Sequence, residues 1–277
     1  MFADTYAGGA ELTTEALLDG SPHPTDKIQS NNVTIETIQS NPGIFWIFGN
    51  FTNLSQEVKL YFIKNEEYSI VEYDYKYCKY RNPSFHELKL QANEQCECEN
   101  YTQGKLNLLF FTHAKVIWWM SQEQRNIYIN KFPFLNKVRN VVLSSVFSKH
   151  TQEKLSLMSC EKKNEKWIIL DSPSWVKNRE GSVKYALENN LDYELVWGLE
   201  YEDLLEKLAT SKGLIFLPIG KDTCPRLVIE AKALGCELVL NENVQHKNED
   251  WFKDEHSILE HLHTRTEVFW KEISKHV

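Results

Sequence analysis

The rhythm of the second half of this chain constrains its fold more than any other feature. Short apolar runs, "KWIILDS" (166–172), "YELVWG" (193–198), "GLIFLP" (213–218) and "CELVLN" (236–241), have the length of strands. Between them lie the amphipathic stretches "EGSVKYALENN" (180–190), "EYEDLLEKLATS" (200–211) and "PRLVIEAKALG" (225–235). A strand covered on both faces reads as a continuous apolar run, whereas a surface helix shows an apolar stripe at a period of about 3.6 residues. Strand and helix in strict alternation predict a parallel sheet with helices on both faces.

The first half carries the same kinds of element less regularly. Strands are expected at 44–50, 68–73, 115–121 and 140–145, and helices at 11–18, 54–63, 106–114 and 122–132. The charged stretch "FSKHTQEKLSLMSCEKKNEK" (146–165) is the expected junction, which divides the chain into domains 1–148 and 149–277. A length of 277 residues has room for both. The C-terminal "SILEHLHTRTEVFWKEISKHV" is amphipathic over several turns. Its Ile258, Leu262, Val268, Phe269, Trp270 and Ile273 are expected to pack back onto the N-terminal domain. Trp118 and Trp119 are expected in the core or in interdomain packing.

Net charge narrows the function. At -8 the chain lacks the basic excess of a dedicated nucleic-acid binder, so no nucleic-acid partner is expected. No apolar run approaches the roughly 20 residues that span a bilayer. The start, "MFADTYAGGAELTTEALL", has neither the basic residues nor the apolar block of a signal peptide. Six cysteines are too few for a disulfide scaffold of this size, and Cys160, Cys224 and Cys236 read as buried, reduced thiols. A cytoplasmic protein is the expectation.

Chemistry is concentrated in "GKDTCPRLVIEAKALGC" (220–236), where two carboxylates, Asp222 and Glu230, flank a helix start just past an apolar strand. Thr223 or Asp222 is the expected cap, with Pro225 in the first turn. In a parallel sheet such a helix begins at the ligand crevice, and its free amides favour a phosphate there. Arg226 would add a charge-assisted contact to the same anion. Glu230, a turn further in, could accept two ribose hydroxyls, and Asp222 at the loop tip could hold the hydroxyls of a sugar. Hexose, diphosphate and ribose in that order describe a nucleotide-sugar. The competing reading is a capped helix whose Arg226 and Glu230 face solvent.

The segment "LPIGKDTCPRLVIEAKALGCELVL" resembles the acid-x7-acid signature of retaining glycosyltransferases of the GT-B type, group 1 and family 4-like. Asp222, Glu230, Ala231 and Gly235 stand at the matching places, while Pro225 replaces a frequent glycine and Asp222 a frequent glutamate. "YAGGAEL" (6–12) resembles the family's glycine-rich turn, which implies donor-side roles for Gly8 and Gly9. "DSPSWVKNREGSVKYA" (171–186) is similar to the segment bearing the family's basic pair, which implies that Lys177 or Arg179 holds the diphosphate, although Glu180 stands where a lysine is common. Thr223 and Cys224 fall within the donor loop. "YSIVEYDYKYC" resembles a segment that often carries a His-Asp pair. Tyr73 and Asp74 occupy it here, on the acceptor side, so the usual histidine is replaced. The family's full first strand is expected to be short or missing.

The resemblance implies two Rossmann-like domains facing a cleft, with the C-terminal helix crossing back to the N-terminal domain. It also implies a retaining hexosyltransferase that uses no cofactor and no bound metal. Asp222 and Arg226 would be its catalytic groups, a nucleotide-sugar its donor, and a saccharide or lipid-linked saccharide its acceptor. A lipid-linked acceptor would bring the chain to the inner face of a membrane. Two alternatives stay open: a non-catalytic nucleotide-sugar-binding or interaction protein, and a nucleotide-sugar epimerase.

One loop stands apart. "YDYKYCKYRNPSFHELKLQANEQCECEN" carries Cys78, His86, Cys96 and Cys98, a set chemically able to bind zinc. Its spacing matches no common finger and C-x-C is tighter than the usual pair. The reading preferred from sequence is therefore scattered thiols in a polar loop, with residues 74–104 serving acceptor recognition.

Overall fold

The computed structural model describes residues 8–90, 94–159 and 161–277. The expected short first strand, along with Cys160, lies outside those residues. The chain is α/β and divides into two compact units, Met1–Val146 with Arg265–Val277, and Phe147–Thr264. Each unit is Rossmann-like, with a four-stranded parallel sheet. No helix among the described residues is long and apolar enough to cross a membrane.

In the first unit the order is α1 (Gly9–Asp19), α2 (Ile35–Gln39), β1 (Trp46–Phe48), α3 (Gln56–Asn65), β2 (Tyr68–Glu72), α4 (Pro83–Lys89), α5 (Thr102–Thr112), β3 (Val116–Trp119), α6 (Gln122–Lys131) and β4 (Arg139–Val142). The strands lie side by side in the order β1-β2-β3-β4, with Ile70 opposite Ile117 and Trp118 opposite Val141. Every residue of β2 and β3 is buried, as their unbroken apolar runs require.

Because side chains alternate across a strand, Trp118 and Trp119 serve opposite faces of the sheet. Trp119 joins Phe111 and Tyr128 in an aromatic core that continues through Phe110, Phe48 and Phe62. Phe48 and Phe62 meet edge to face at 4.9 Å, and Tyr68 stacks on Phe110 at 4.4 Å. Such pairs contribute about 0.5–1.5 kcal/mol each beyond the area they bury. Trp118 packs instead on Phe269, 4.6 Å away, while the Trp270 indole donates to the Leu17 carbonyl.

The second unit runs α7 (Lys149–Met158), β5 (Trp167–Leu170), α8 (Arg179–Glu188), β6 (Tyr193–Val196), α9 (Tyr201–Thr210), β7 (Gly213–Phe216), α10 (Arg226–Ala233) and β8 (Glu237–Leu240). The last helix, α11 (Glu255–Ile273), has residues up to 264 in this unit and from 265 in the first. The strand order is β6-β5-β7-β8. Trp167, Ile169, Ala186 and Ile215 form the centre of one core layer.

The structure differs from the sequence reading at three places. Residues 146–165 hold a helix as well as a junction. Ser148 caps α7 by accepting from the Thr151 amide, and Leu155 anchors it in the core. Residues 74–104 are not a long open loop. Asn82 caps α4, a 3-10 turn covers Cys98–Asn100, and α5 begins at Thr102, earlier than its apolar residues suggest. Finally, the cap of α10 is Pro225 itself, in extended conformation with no side-chain hydrogen bond, so neither Thr223 nor Asp222 caps it. Pro225 is itself extended (φ -65°, ψ 117°), so the first helical residue is Arg226.

Candidate functional site

Strands β5 and β7 are neighbours, and the chain leaves them for opposite edges of the sheet. At such a reversal the loops beyond the strands' carboxyl ends diverge and leave a crevice, the usual ligand position in open α/β sheets. Here the two loops are tied together at its floor. The Ile219 amide donates to the Val176 carbonyl at 3.0 Å, and the Asn178 side chain donates to the Leu217 carbonyl at 2.7 Å. Asn178 takes a left-handed conformation (φ 51°) tolerable for asparagine, and its side-chain oxygen caps α8 through the Gly181 amide.

Across this junction the Lys177 ammonium reaches Asp222 Oδ2 at 2.7 Å. Asp222 is fixed through its backbone, donating to the Asn243 carbonyl and accepting from the Gln245 amide as a bridge to Val244. The side chains of Asn241 and Asn243 both donate to the Pro218 carbonyl at 2.8 Å and hold the same loop. Both partners of the ion pair keep a share of solvent exposure, 29% for Lys177 and 14% for Asp222. Arg179, at the start of α8, pairs with Asp171 at 2.7 Å and is half exposed. Thr223 and Cys224 are buried in the loop between Asp222 and Pro225.

Arg226 and Glu230 are not solvent-facing. Their side chains are only 5% and 3% exposed and lie 3.6 Å apart. The guanidinium sits 3.7 Å from the centre of the Phe147 ring, and the Tyr201 hydroxyl donates to Glu230 Oε1 at 2.7 Å. Burial pushes the Glu230 carboxyl above the usual carboxylate range, while Arg226 and Tyr201 pull it down. The competing reading with solvent-facing Arg226 and Glu230 is thereby corrected, since both groups are buried and paired with each other. Tyr201 and Phe147 were not identified from sequence. A tyrosine opening an amphipathic helix and a phenylalanine at a junction carry no local signal of a carboxylate or guanidinium partner.

The remaining expected residues belong to the first unit. Gly8 caps α1 at φ -76°, a value open to any residue. The Tyr73 hydroxyl hydrogen bonds Thr14 on α1 at 2.9 Å, and a Cβ on Gly49 would touch the Tyr73 ring. Asp74 pairs with Arg81 and with Lys76. Lys76 in turn pairs with Glu72 at 2.9 Å, with neither side chain exposed, and Tyr128 donates to Glu72 at 2.6 Å. Gln124 closes the set by donating to the carbonyls of Glu72 and Asp74. This network lies at the carboxyl end of β2.

Beside it, the thiols expected to be scattered converge. Cys78, His86, Cys96 and Cys98 are all buried, and their ligand atoms lie within 4.8 Å of one another. The turn at Cys78, α4 and the 3-10 turn at Cys98 bring the four together, which spacing alone did not reveal. Cys78 and Cys98 also line a pocket of about 500 Å³ with Lys76, Arg81, Tyr101 and Asn107.

No protein-family model matches this sequence, and no curated protein is significantly similar to it.

Proposed function

We propose that the chain is a retaining glycosyltransferase of the GT-B type that moves a sugar from a nucleotide-sugar to a saccharide or lipid-linked saccharide. The observation that carries this reading is the Lys177–Asp222 pair over the reversal between β5 and β7. A cation and a carboxylate at that crevice are the two groups a sugar diphosphate needs. The ammonium takes the diphosphate, and the carboxylate, released from its partner, accepts hydroxyl hydrogen bonds from the hexose. The amides opening α10 add their partial positive charge to the same anion.

In transfer the bond between the anomeric carbon and the diphosphate oxygen breaks, and the electron pair leaves with the diphosphate. The acceptor hydroxyl then bonds to the same face of the sugar and passes its proton to the departing diphosphate oxygen. Lys177 stabilises the charge that grows on the leaving group, the kind of preorganised electrostatic help that dominates many active sites. Arg226, Glu230 and Tyr201 position the Asp222–Pro225 loop from below, so the ribose contact expected of Glu230 becomes a supporting role. Arg179 is a second cation for the diphosphate. Gly8 and Gly9 keep the donor-side role that the resemblance implies, and Tyr73 and Asp74 supply the acceptor side.

Incubation with a panel of nucleotide-sugars and acceptors, read as free nucleotide diphosphate and a new glycoside of unchanged anomeric configuration, tests the reaction. Lys177→Met should lower turnover by about 10²-fold or more, the usual effect of deleting one electrostatic stabiliser. Undiminished turnover in that variant would remove Lys177 from the mechanism. A non-catalytic nucleotide-sugar-binding protein is the second reading. It is favoured by the mutual pairing of the site's charges and by tyrosine at the position where the resemblance would put a histidine. Such a protein would bind donor without releasing nucleotide, and an epimerase would return an isomerised donor.

A further inference from the structure

The three sulfurs around His86 pose a bonding problem. Its Nδ1 lies 3.2 Å from Cys96 Sγ, 3.3 Å from Cys98 Sγ and 3.7 Å from Cys78 Sγ. One ring nitrogen has a single proton or a single lone pair, so it satisfies one of these sulfurs and not three. A disulfide would use two thiols and leave the third buried with the imidazole. A tetrahedral zinc uses all four groups. With Zn–S of about 2.3 Å and Zn–N of about 2.0–2.1 Å, tetrahedral angles put sulfur and nitrogen about 3.6 Å apart. The spacing present is that of ligands around a common centre.

The surrounding backbone is built for the cluster. The backbone N–H of Lys79 donates to the Cys98 sulfur at 3.4 Å. Such bonds orient thiolates and offset their charge. Arg81 closes the Cys78 turn with φ 56°, an uncommon conformation for a non-glycine, and its amide donates to the Cys78 carbonyl. Gly104 on α5 lies so close to the second turn that a Cβ there would overlap the Cys98 carbonyl. Lys131 donates to the Cys96 carbonyl, adding positive charge beside a site that would carry one net negative charge.

We propose that Cys78, His86, Cys96 and Cys98 form a structural zinc site, a C-x7-H-x9-C-x-C arrangement that staples the segment between β2 and α5. Four protein ligands fill the coordination sphere, so the ion has no open position for catalysis. Its task is to hold the turn that carries Lys76 and Arg81 at the end of β2. This inference rests on the cluster alone and is independent of the proposed transferase activity.

The test is metal analysis of the full chain purified under reducing conditions, with Co²⁺ exchanged for Zn²⁺ as a spectroscopic probe. The expected result is one zinc per chain, and thiolate charge-transfer with tetrahedral d–d bands in the cobalt form. Cys98→Ser and His86→Ala should each lose the metal, His86→Cys should retain it, and Cys236→Ala should leave it unchanged. Hydrogen exchange supplies a readout that does not depend on variants folding. Chelation should raise exchange in residues 74–104 and leave β5–β8 unchanged. Metal-free wild-type protein, a different metal, a Cys78–Cys96 or Cys78–Cys98 disulfide in the native chain, or an exchange pattern indifferent to chelation would each overturn the proposal.

Discussion

Lys76 and Glu72 carry opposite charges into a place that neither side chain shares with water. Their attraction offsets desolvation only while both are present, and removal of one partner of such a pair costs about 3–5 kcal/mol. Lys76→Met should therefore lower stability by that amount, read as a shift in the urea midpoint. A loss under about 1 kcal/mol would mean that burial holds the Glu72 carboxyl neutral, so that no charge is left unpaired when the lysine is removed. His246 makes a second prediction. It is fully buried against Trp251 and Phe252, and neither ring nitrogen has a hydrogen-bond partner among the described residues. Burial first, and His261 second, lower its pKa to about 3, against an ordinary value of 6.5. Between those values the unfolded chain binds the extra proton, so stability is present above about pH 6.5 and is lost as pH falls through the window below it. By pH 4 the loss should reach about 3 kcal/mol, since each unit is worth about 1.4 kcal/mol. His246→Leu should flatten that acid limb in thermal unfolding, and an unchanged slope would assign the limb to other groups.

At the scale of elements, the strands and most helices were legible because burial on both faces writes itself into sequence as unbroken apolar runs. "GLIFLP" and "KWIILDS" each contain the strand they suggested. Caps and turns were harder. α10 starts at Arg226 behind a proline cap that offers no side-chain oxygen, and no composition rule announces that choice. The helix ends at Ala233, before the expected Gly235, whose φ of 76° lets the Cys236 amide reach the Ala231 carbonyl. Gly235→Ala would strain that turn and bring a Cβ to 3.1 Å from the Glu255 carboxylate. The expected cost is about 1–2 kcal/mol, seen as a lower denaturant midpoint, and an unchanged midpoint would show that the turn relaxes freely. The cysteine segment was least legible of all. Its ligands come from two turns and a helix, and three-dimensional convergence is not encoded in ligand spacing.

For the whole molecule, two parallel-sheet units could be read from the alternation of elements, and the crevice over β5 and β7 from strand order once the sheet was known. The sequence pointed to Lys177 and Asp222 separately. That they face each other at 2.7 Å depends on two loops tied by Asn178 and Ile219, contacts between residues more than thirty positions apart. The burial of Arg226 and Glu230 was equally hidden, because a charged residue on an amphipathic helix reads as solvated until its aromatic and hydroxyl partners are in place. The central claim is that this crevice holds a sugar diphosphate. It is tested most directly by thermal unfolding of wild type and Lys177→Ala with nucleoside diphosphates and nucleotide-sugars. A ligand at a hundredfold its dissociation constant adds about 2.7 kcal/mol to the folded state. The account predicts that at least one nucleotide raises the wild-type melting temperature and that Lys177→Ala loses most of the shift. No stabilisation by any member of the panel, or an equal shift in the variant, would contradict it.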